Sequence, residues 1–365
     1  MSDEQTKLGE LRDRIDGIDQ QIMDLISARA RCAQEVAEVK MTYNPGADVF
    51  FYRPEREAQV LRRIKEQNPG PLSGEEMARL FREIMSACLA LEKPMHIAFL
   101  GPAGTFTQAA ALKHFGHSVV SVPLAAIDAV FREVESGSAH YGVVPVENST
   151  EGMINHTLDM FMSSPLKICG EVQLRIHHHL LASAETREGE IHRIYSHQQS
   201  LAQCRQWLDA NRFGIERVPV SSNAEAARRA AEEPGTAAIA GDMAAELYGL
   251  EKLAGNIEDR PDNTTRFLII GRESVGPSGN DKSSILVSMR NKPGALYQLL
   301  EPFHRDGISL TRIETRPSPS GTWAYVFYID FEGHMEEPKV AKVLAEIDEE
   351  AVELKRLGSY PVGVL

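Results

Sequence analysis

The N-terminal segment carries a regular apolar stripe, and this stripe restricts the possible fold more than any other feature. Its members follow one another at alternating steps of three and four residues: Leu8, Leu11, Ile15, Ile18, Ile22, Leu25, Arg29, Cys32, Val36 and Val39. This heptad spacing predicts one long helix that packs against another helix. A charge on such a buried face needs compensation, yet Arg29 lies within the stripe. Lys40 follows eleven residues later, about three turns on and so on nearly the same face.

Two cations on one buried face indicate an anion bound between them. The alternative is that the long stems of Arg29 and Lys40 carry both charges past the stripe into solvent. Arg12 lies roughly 25 Å before Arg29 along a helix, too far to share a small ligand within one chain. An antiparallel partner helix would bring Arg12 alongside, so the stripe predicts a dimer with sites built from both chains. Taken alone, Arg12 is an ordinary solvated charge.

A later helical segment is marked at both ends. Ser73 and Glu76 have the spacing of a capping box. The apolar face that follows consists of Met77, Leu80, Phe81, Ile84, Met85, Cys88 and Leu89. Glu92 lies on this face, four residues after Cys88, and Pro94 ends the helix. A carboxylate at position 92 either frays into solvent or points into a pocket.

Residues 8 to 93 resemble the all-helical, intertwined chorismate mutases. In that family an arginine near the start of the first helix comes from the partner chain, and a glutamate begins the middle helix. Pro54 replaces a family arginine, with Arg53 beside it, and Glu92 stands where many members have a glutamine that hydrogen-bonds the ether oxygen of chorismate. The resemblance implies a substrate site made of Arg12, Arg29, Lys40, Arg53, Glu55, Cys88 and Glu92.

The implied rearrangement of chorismate to prephenate is pericyclic and needs neither a nucleophile nor a metal. Positioned cations hold the dicarboxylate in a compact conformation. Lys40 and a donor at position 92 stabilise charge on the breaking ether oxygen. A glutamate donates only when protonated, so the pKa of Glu92 has to lie well above the ordinary value of about 4.3. Burial among apolar groups raises a carboxyl pKa in that direction.

From residue 96 onward, alternating strands and helices predict α/β layers. A strand at residues 96–100 enters the glycine turn 101–106, whose backbone N–H groups can bind an anion. A second strand, 141–146, ends in a polar run at a position where open α/β sheets commonly bind ligands. The alternative is that Asn148 or Ser149 caps a helix. Two more polar clusters lie at 196–200 and at 263–267, the latter leading into a strand at 268–270.

These four segments occur in the order found in prephenate dehydratases, which residues 96 to 272 resemble. The resemblance implies two α/β lobes with the active site between them, and loss of hydroxide and carbon dioxide from prephenate to give phenylpyruvate. The family's essential threonine matches Thr265. The implied substrate-binding residues are Gly104, Thr105, Glu147, Asn148, Ser149, His197, Thr265, Arg266 and Phe267.

Roles for these residues follow from their chemistry. Thr265 is too weak an acid to be an obvious proton source, so we expect it to hydrogen-bond the leaving oxygen or to position a carboxylate. Glu147 is an acid only if it is desolvated. Arg266 and the amides of Gly104 and Thr105 are candidates for holding substrate carboxylates. Which group transfers the proton stays open.

The last segment shows the order strand, helix, strand, strand, helix, strand between Ser284 and Leu357. It resembles an ACT domain, a small module that binds amino acids at dimer interfaces. The phenylalanine-binding residues implied by this resemblance are Gly294, Ala295, Leu296, Glu314, Thr315 and Arg316. The alternative is a ferredoxin-like domain that serves only dimerisation, because one fold hosts many functions.

Composition limits the remaining possibilities. The net charge of −13 argues against nonspecific binding to nucleic acid or membranes. No run of about twenty apolar residues and no signal peptide is recognisable. The scattered Cys32, Cys88, Cys169 and Cys204 predict reduced thiols in a cytoplasmic protein. No dinucleotide fingerprint or Walker lysine occurs. The run 177–179 of three histidines is a poor chelate, since neighbouring strand residues face opposite ways, so we expect no metal or cofactor.

The sequence therefore predicts a multidomain protein: an all-α intertwined helical dimer module, a two-lobed α/β domain and an α+β ferredoxin-like ACT domain. We expect the boundaries 1–94, 95–273 and 284–365, with a linker at 274–283. The expected partners are chorismate, prephenate, phenylalanine as effector, and further copies of the chain in a homodimer or larger assembly. Two rivals are a dehydratase whose helical module is only a dimerisation arm, and a non-catalytic bilobed ligand sensor.

Overall fold

The computed structural model describes residues 3–43, 51–150, 152–290, 292–317 and 325–364. Its N-terminal region consists of helices α1 (Asp3–Tyr43), α2 (Pro54–Gln67) and α3 (Gly74–Glu92). The predicted long helix is confirmed, because α1 is unbroken over 41 residues. Its apolar stripe is exposed in the single chain, up to 70% for Leu25. An apolar face of this length requires a partner surface.

Helices α2 and α3 form the base of this region. The Ser73 hydroxyl accepts a hydrogen bond from the Glu76 amide at 3.1 Å, which confirms the serine half of the predicted cap. The Glu76 carboxylate instead pairs with Arg79. Between the two helices, Arg82 Nε lies 3.3 Å from the buried Glu57 carboxylate.

The middle of the chain forms two α/β lobes. The first lobe contains β1 (His96–Leu100), α4 (Phe106–Phe115), β2 (Val120–Leu124), α5 (Ile127–Glu135), β3 (Tyr141–Asn148), β4 (Gly152–Met153), α6 (Asn155–Ser163) and β5 (Lys167–Arg175). The second contains β6 (His179–Ala182), a 3-10 turn (Glu188–Glu190), β7 (Arg193–His197), α7 (Gln198–Gln203), α8 (Arg205–Asn211), β8 (Glu216–Val220), α9 (Asn223–Glu232), β9 (Thr236–Ala240), α10 (Asp242–Tyr248) and β10 (Glu251–Ala254). The chain then returns to the first lobe as β11 (Thr264–Gly271).

Sheet order explains how the lobes are joined. The first sheet runs β2-β1-β3-β11-β5, with β4 beside β3, and the second runs β10-β6-β9-β7-β8. Strand β11 is antiparallel to both β3 and β5. The chain therefore crosses between the lobes twice, after β5 and before β11. The two crossings lie beside the ends of β3 and β11, where the polar segments of the sequence are found.

The C-terminal region has the predicted order of elements. It consists of β12 (Asp281–Met289), α11 (Ala295–Arg305), β13 (Leu310–Pro317), β14 (Tyr325–Glu332), α12 (Pro338–Glu350) and β15 (Ala351–Pro361), with sheet order β13-β14-β12-β15. Residues 323 and 324, which we expected to begin a strand, lie outside the described residues. The two helices cover one face of the sheet, with Phe303 and Val343 in the shared core.

The other face of this sheet packs against the first lobe, where Leu286, Tyr328 and Leu357 share a core with Phe161 and Ile168. Helix α2 also contacts the C-terminal region, because the Arg62 guanidinium donates to the Ser278 carbonyl at 3.1 Å and to that of Asn280 at 2.8 Å. The segment predicted as a linker is thus packed, and β12 already begins within it. In the part of the chain that the structure describes, no helix is long and apolar enough to cross a membrane.

Candidate active sites

The helical region brings several predicted site residues of one chain together. Lys40 Nζ lies 3.4 Å from the Phe51 carbonyl and 5.3 Å from the centre of the Phe51 ring. Burial lowers the pKa of Lys40, and the charge of Arg53 lowers it further, while Glu92 and Glu55 act in the opposite direction. These four charged side chains are therefore close enough to influence one another.

Glu92 shows the environment that a carboxylic acid donor needs. Burial raises the pKa of Glu92, and the nearby Lys40 and Arg29 only partly counteract it. The shift has the direction expected from the sequence. Cys88 is buried one turn earlier on the same helix, and Arg53 lies 3.6 Å from Glu55. Arg12 is exposed at the opposite end of α1, separated from Arg29 of its own chain as the helix geometry requires.

The second site is a cleft of about 250 Å³ between the two α/β lobes. Its first-lobe wall includes Gly104, Thr105, Asn148 and Thr265. Asn148 and Thr265 are directly opposed in register across β3 and β11. Both side chains are buried, and the Asn148 amide nitrogen donates to Thr265 Oγ1 at 2.8 Å. Two of the four predicted polar segments thus meet at one point of the wall.

The orientation of the Asn148 amide is fixed by its neighbours. Its oxygen accepts from the Thr150 backbone N–H at 2.9 Å, and that group can only donate. Its nitrogen therefore faces Thr265 Oγ1 and also donates to Asn263 Oδ1 at 3.0 Å. Asn148 caps no helix, since α6 begins after Ile154, and the capping alternative is wrong for this residue. The Thr265 oxygen acts as acceptor, so its own hydrogen can be donated to another group.

The second-lobe wall contains more site residues than the sequence analysis had identified. The predicted His197 lines the cleft at the start of α7, with Nδ1 accepting from the Gln199 amide at 3.4 Å. The other polar side chains on this wall include Gln199, Ser200, Gln203, Ser221, Ser222 and Asn223. Gln203 receives hydrogen bonds from His178 Nε2 and Asn263 at 2.9 and 3.2 Å. Its spacing of three and four residues from Ser200 and Gln199 is the helical signal that could have indicated it.

The glycine turn lies where the two lobes approach each other. Gly104 has a φ of +85°, and a Cβ there would lie 3.4 Å from the Ala244 Cα of α10 in the opposite lobe. Glycine is thus favoured by the backbone conformation of the turn. The Gly104 amide donates to Gln108 Oε1 at 2.6 Å within the turn. Thr105 Oγ1 similarly donates to the Leu100 carbonyl at 3.2 Å.

The structure corrects the expectation that Arg266 holds a substrate carboxylate. We predicted a strand from Leu268, whereas β11 begins at Thr264. Successive strand residues face opposite ways, so Arg266 points away from the cleft that Thr265 lines. Its guanidinium is buried and donates to Glu171, Asp330 and Tyr360 at 2.8, 2.7 and 3.0 Å. Burial lowers the pKa of Arg266, but these partners outweigh it and hold the pKa above its ordinary value.

Three more predicted dehydratase residues lie outside the cleft. Glu147 belongs to β3 beside Asn148 and therefore faces the C-terminal region, where it pairs with Arg312. This position corrects its assignment as a candidate acid in the cleft. Phe267 is buried in the core of the first lobe. Ser149 is exposed, and its hydroxyl accepts from the Thr264 amide at 2.9 Å at the start of β11.

The three consecutive histidines have separate partners. His177 Nδ1 lies 2.9 Å from Glu258, His178 Nε2 lies 2.9 Å from Gln203, and His179 Nε2 lies 3.2 Å from Asp242. Burial lowers the pKa of His178, which keeps its ring neutral beside the cleft. Among the described residues, no cluster of three or more His, Cys, Asp and Glu side chains could hold a metal ion.

The predicted phenylalanine-binding residues occupy two parts of the C-terminal sheet and its helices. Gly294 is the N-cap of α11 and has a φ of +84°, and the helix then begins with Ala295 and the half-exposed Leu296. Glu314, Thr315 and Arg316 lie in β13, an edge strand of the sheet. The Arg316 guanidinium makes two contacts with the Asp159 carboxylate of α6, at 3.0 and 2.8 Å. Its charge is thus paired with Asp159 on the side facing the first lobe.

Comparison with known proteins agrees with this division of the chain. Family models match chorismate mutase type II over residues 11–93, prephenate dehydratase over 97–275 and the ACT domain over 283–349. Bifunctional chorismate mutase/prephenate dehydratases of Stutzerimonas stutzeri and Pseudomonas aeruginosa are 66% and 64% identical over 363 residues, covering 99% of this chain and 100% of each relative. A solved structure of prephenate dehydratase from Arthrobacter aurescens in complex with L-Phe is 35% identical, with a TM-score of 0.68, and covers 73% of this chain and 90% of that one.

The three regions of the chain together define an enzyme. It has a chorismate mutase domain, a prephenate dehydratase domain and an ACT domain. The chain belongs to the family of bifunctional chorismate mutase/prephenate dehydratases.

Proposed function

We propose that this chain rearranges chorismate to prephenate in its helical domain and converts prephenate to phenylpyruvate in the cleft, under feedback inhibition by phenylalanine. The observation that carries the proposal is the contact of Asn148 with Thr265 on the cleft wall, in a chain that also retains Arg29, Lys40 and Glu92. We place the domain boundaries at 1–94, 95–273 and 284–365, with 274–283 between the last two.

In the mutase site, positioned cations that include Arg29 hold the two carboxylates of chorismate and favour its compact conformation, while Lys40 stabilises charge on the breaking ether oxygen. Glu92, whose pKa is raised by burial, donates in its protonated form to the ether oxygen as the C–O bond breaks. The exposed stripe of α1 pairs with that of a second copy, which supplies Arg12. The assembly is a homodimer or a larger homo-oligomer of a cytoplasmic protein, a location supported by its four free cysteines.

In the dehydratase site, the ring carboxylate of prephenate leaves as carbon dioxide. The electron pair of the broken C–C bond enters the ring and expels the hydroxyl at the opposite carbon, and aromatisation drives the step. Thr265 donates a hydrogen bond to the departing hydroxide oxygen, while the Asn148 amide holds Thr265 Oγ1 in place. The polar wall of α7 orients the substrate from the other lobe.

Incubation of the protein with chorismate, followed by assay of phenylpyruvate with and without phenylalanine, tests the proposal. We expect phenylpyruvate from chorismate and from prephenate, and less of it when phenylalanine is present. Product from prephenate alone would indicate a dehydratase with a helical dimerisation arm. Binding of prephenate without turnover would indicate a ligand sensor.

A further inference from the structure

The two polar residues of the cleft wall have immediate neighbours with charged side chains on the opposite face of the same strands. Thr265 is followed by Arg266, Asn148 is preceded by Glu147, and these two charged residues are paired in register as well. Any displacement of Arg266 or Glu147 therefore acts directly on the backbone that positions Thr265 and Asn148. A strand transmits such displacements because its residues share one hydrogen-bonded ladder.

The ACT domain contacts both charged neighbours. Asp330 of β14 accepts from Arg266 Nη1 at 2.7 Å, and Arg312 of β13 pairs with Glu147. Arg312 and Asp330 are themselves register partners, with Arg312 Nε 3.9 Å from the Asp330 carboxylate. The four charges thus form a series of three ion pairs, with two members on the strands of the cleft and two on adjacent strands of the ACT sheet.

Further hydrogen bonds hold Arg266 and Asp330, the two buried members of this group of charges, in place. Glu171 accepts from both Arg266 and Lys282, at 2.8 and 2.7 Å. The Ser284 hydroxyl donates to Asp330 at 2.6 Å, and the Tyr360 hydroxyl accepts from Arg266 at 3.0 Å. Because these groups are buried, separating a pair without supplying another partner is strongly unfavourable. Glu147 and Arg312 are the more exposed members, and Arg312 lies on the edge strand that carries Glu314, a residue expected to bind phenylalanine.

We infer that Glu147, Arg266, Arg312 and Asp330 act as positioning residues that couple the edge strand of the ACT domain to Thr265 and Asn148 in the cleft. The inference rests on the proposed function and adds the path of its regulation. Phenylalanine that displaces β13 moves Arg312 relative to Glu147 and Asp330. Strands β3 and β11 then shift in turn. An effector works only through a difference in affinity between two such states.

Linkage between the two sites provides the test. If phenylalanine opposes ligand binding in the cleft, then a cleft ligand must weaken phenylalanine binding by the same factor. We would measure the phenylalanine Kd by calorimetry, with and without saturating phenylpyruvate. For the unmodified protein we expect the two values to differ by about fivefold or more, the usual lower range of allosteric coupling. In Arg312→Gln the two values should become equal within about twofold, and Arg312→Lys should restore part of the difference.

Arg305→Gln is the matched control, because Arg305 pairs only within the ACT domain, with Glu301, Asp306 and Glu346, among its described contacts. This variant should keep the coupling of the unmodified protein. An Arg312→Gln protein that retains the coupling would overturn the inference. So would an unmodified protein whose phenylalanine Kd does not change when phenylpyruvate is added. Turnover of prephenate is assayed separately on the same samples, so failure of the coupling is distinguishable from failure of the proposed activity. Thermal unfolding of each variant checks that the fold is intact.

Discussion

Asn148 and Thr265 face each other across two antiparallel strands, and the amide of Asn148 donates to the threonine hydroxyl at 2.8 Å. The contact sets the direction of the one hydrogen that Thr265 can donate. A hydroxyl held in this way is preorganised for a developing negative charge and needs no reorganisation when the leaving oxygen departs. The relationship supports the proposed role of Thr265 as a hydrogen-bond donor to the leaving oxygen.

Thr265→Ala should reduce prephenate turnover by roughly 100-fold or more, since it removes a donor to the leaving oxygen. Conversion of chorismate to prephenate should continue. Thr265→Ser should keep part of the activity, because the hydroxyl is retained. Thr264→Ala, a change at the preceding strand position outside the cleft lining, is the matched control and should retain turnover. Steady-state kinetics on supplied prephenate measures the turnover of all three variants. A fully active Thr265→Ala protein would show that another residue acts on the leaving oxygen.

Arg29→Ala and Lys40→Ala should each reduce mutase activity by roughly 100-fold or more, because each removes a charge that stabilises the transition state. Dehydratase activity on supplied prephenate should survive, since the cleft uses other segments. Arg31→Ala, an exposed change on the same helix outside the stripe, should leave both activities unchanged. Equal loss of both activities, with a reduced helical circular dichroism signal, would instead indicate a folding role.

Mixing Arg12→Ala with Arg29→Ala protein should restore some mutase activity that neither variant shows alone. In a mixed dimer, one of the two shared sites can receive both intact arginines, because Arg12 and Arg29 of one chain are too far apart to meet. Fluorescence energy transfer between differently labelled chains reports whether subunits exchange. Proven exchange without any recovered activity would exclude Arg12 as a residue supplied by the partner.

Mutase activity should fall as the pH rises through the raised pKa of Glu92. Burial is the main cause of that shift, and only the protonated carboxyl donates to the ether oxygen, so activity is present below this pKa and lost above it. Glu92→Gln should flatten the fall, since an amide donates at any pH. The pH profile of kcat/KM for chorismate provides the measurement. A profile that still rises toward alkaline pH in the unmodified protein contradicts a donor role.

Asp330→Ala should lower the free energy of unfolding by about 3 to 5 kcal/mol, because it deprives the buried Arg266 of one partner. Asp159→Ala is the matched control. It removes an equivalent carboxylate from Arg316, but this pair is partly exposed, so the expected loss is about 1 kcal/mol or less. Urea unfolding followed by circular dichroism compares the two variants. Similar losses for both would show that burial does not set the cost at Arg266.

The sequence by itself determined the long N-terminal helix, several strands of the middle domain and the order of elements in the last domain. Heptad spacing identified α1, and the apolar runs located β1 and the βαββαβ order of the last domain, because these signals depend on residues close together in the chain. It also indicated Arg29, Lys40 and Glu92, which stand out as charges on apolar helix faces. Resemblance to known families added the identity of the substrates and the role of Thr265.

Only the tertiary structure decided which face each polar residue occupies. The start of β11 lies four residues earlier than its apolar run suggests. Because side chains alternate between the two faces of a strand, Thr265 faces the cleft and Arg266 lies on the opposite face of the sheet. Glu147 and Asn148 are separated in the same way on β3. The partners that stabilise Arg266 come from Glu171, Asp330 and Tyr360, far away in the chain. Such long-range pairings leave no local pattern in one sequence, because they arise from how the ACT sheet packs against the first lobe.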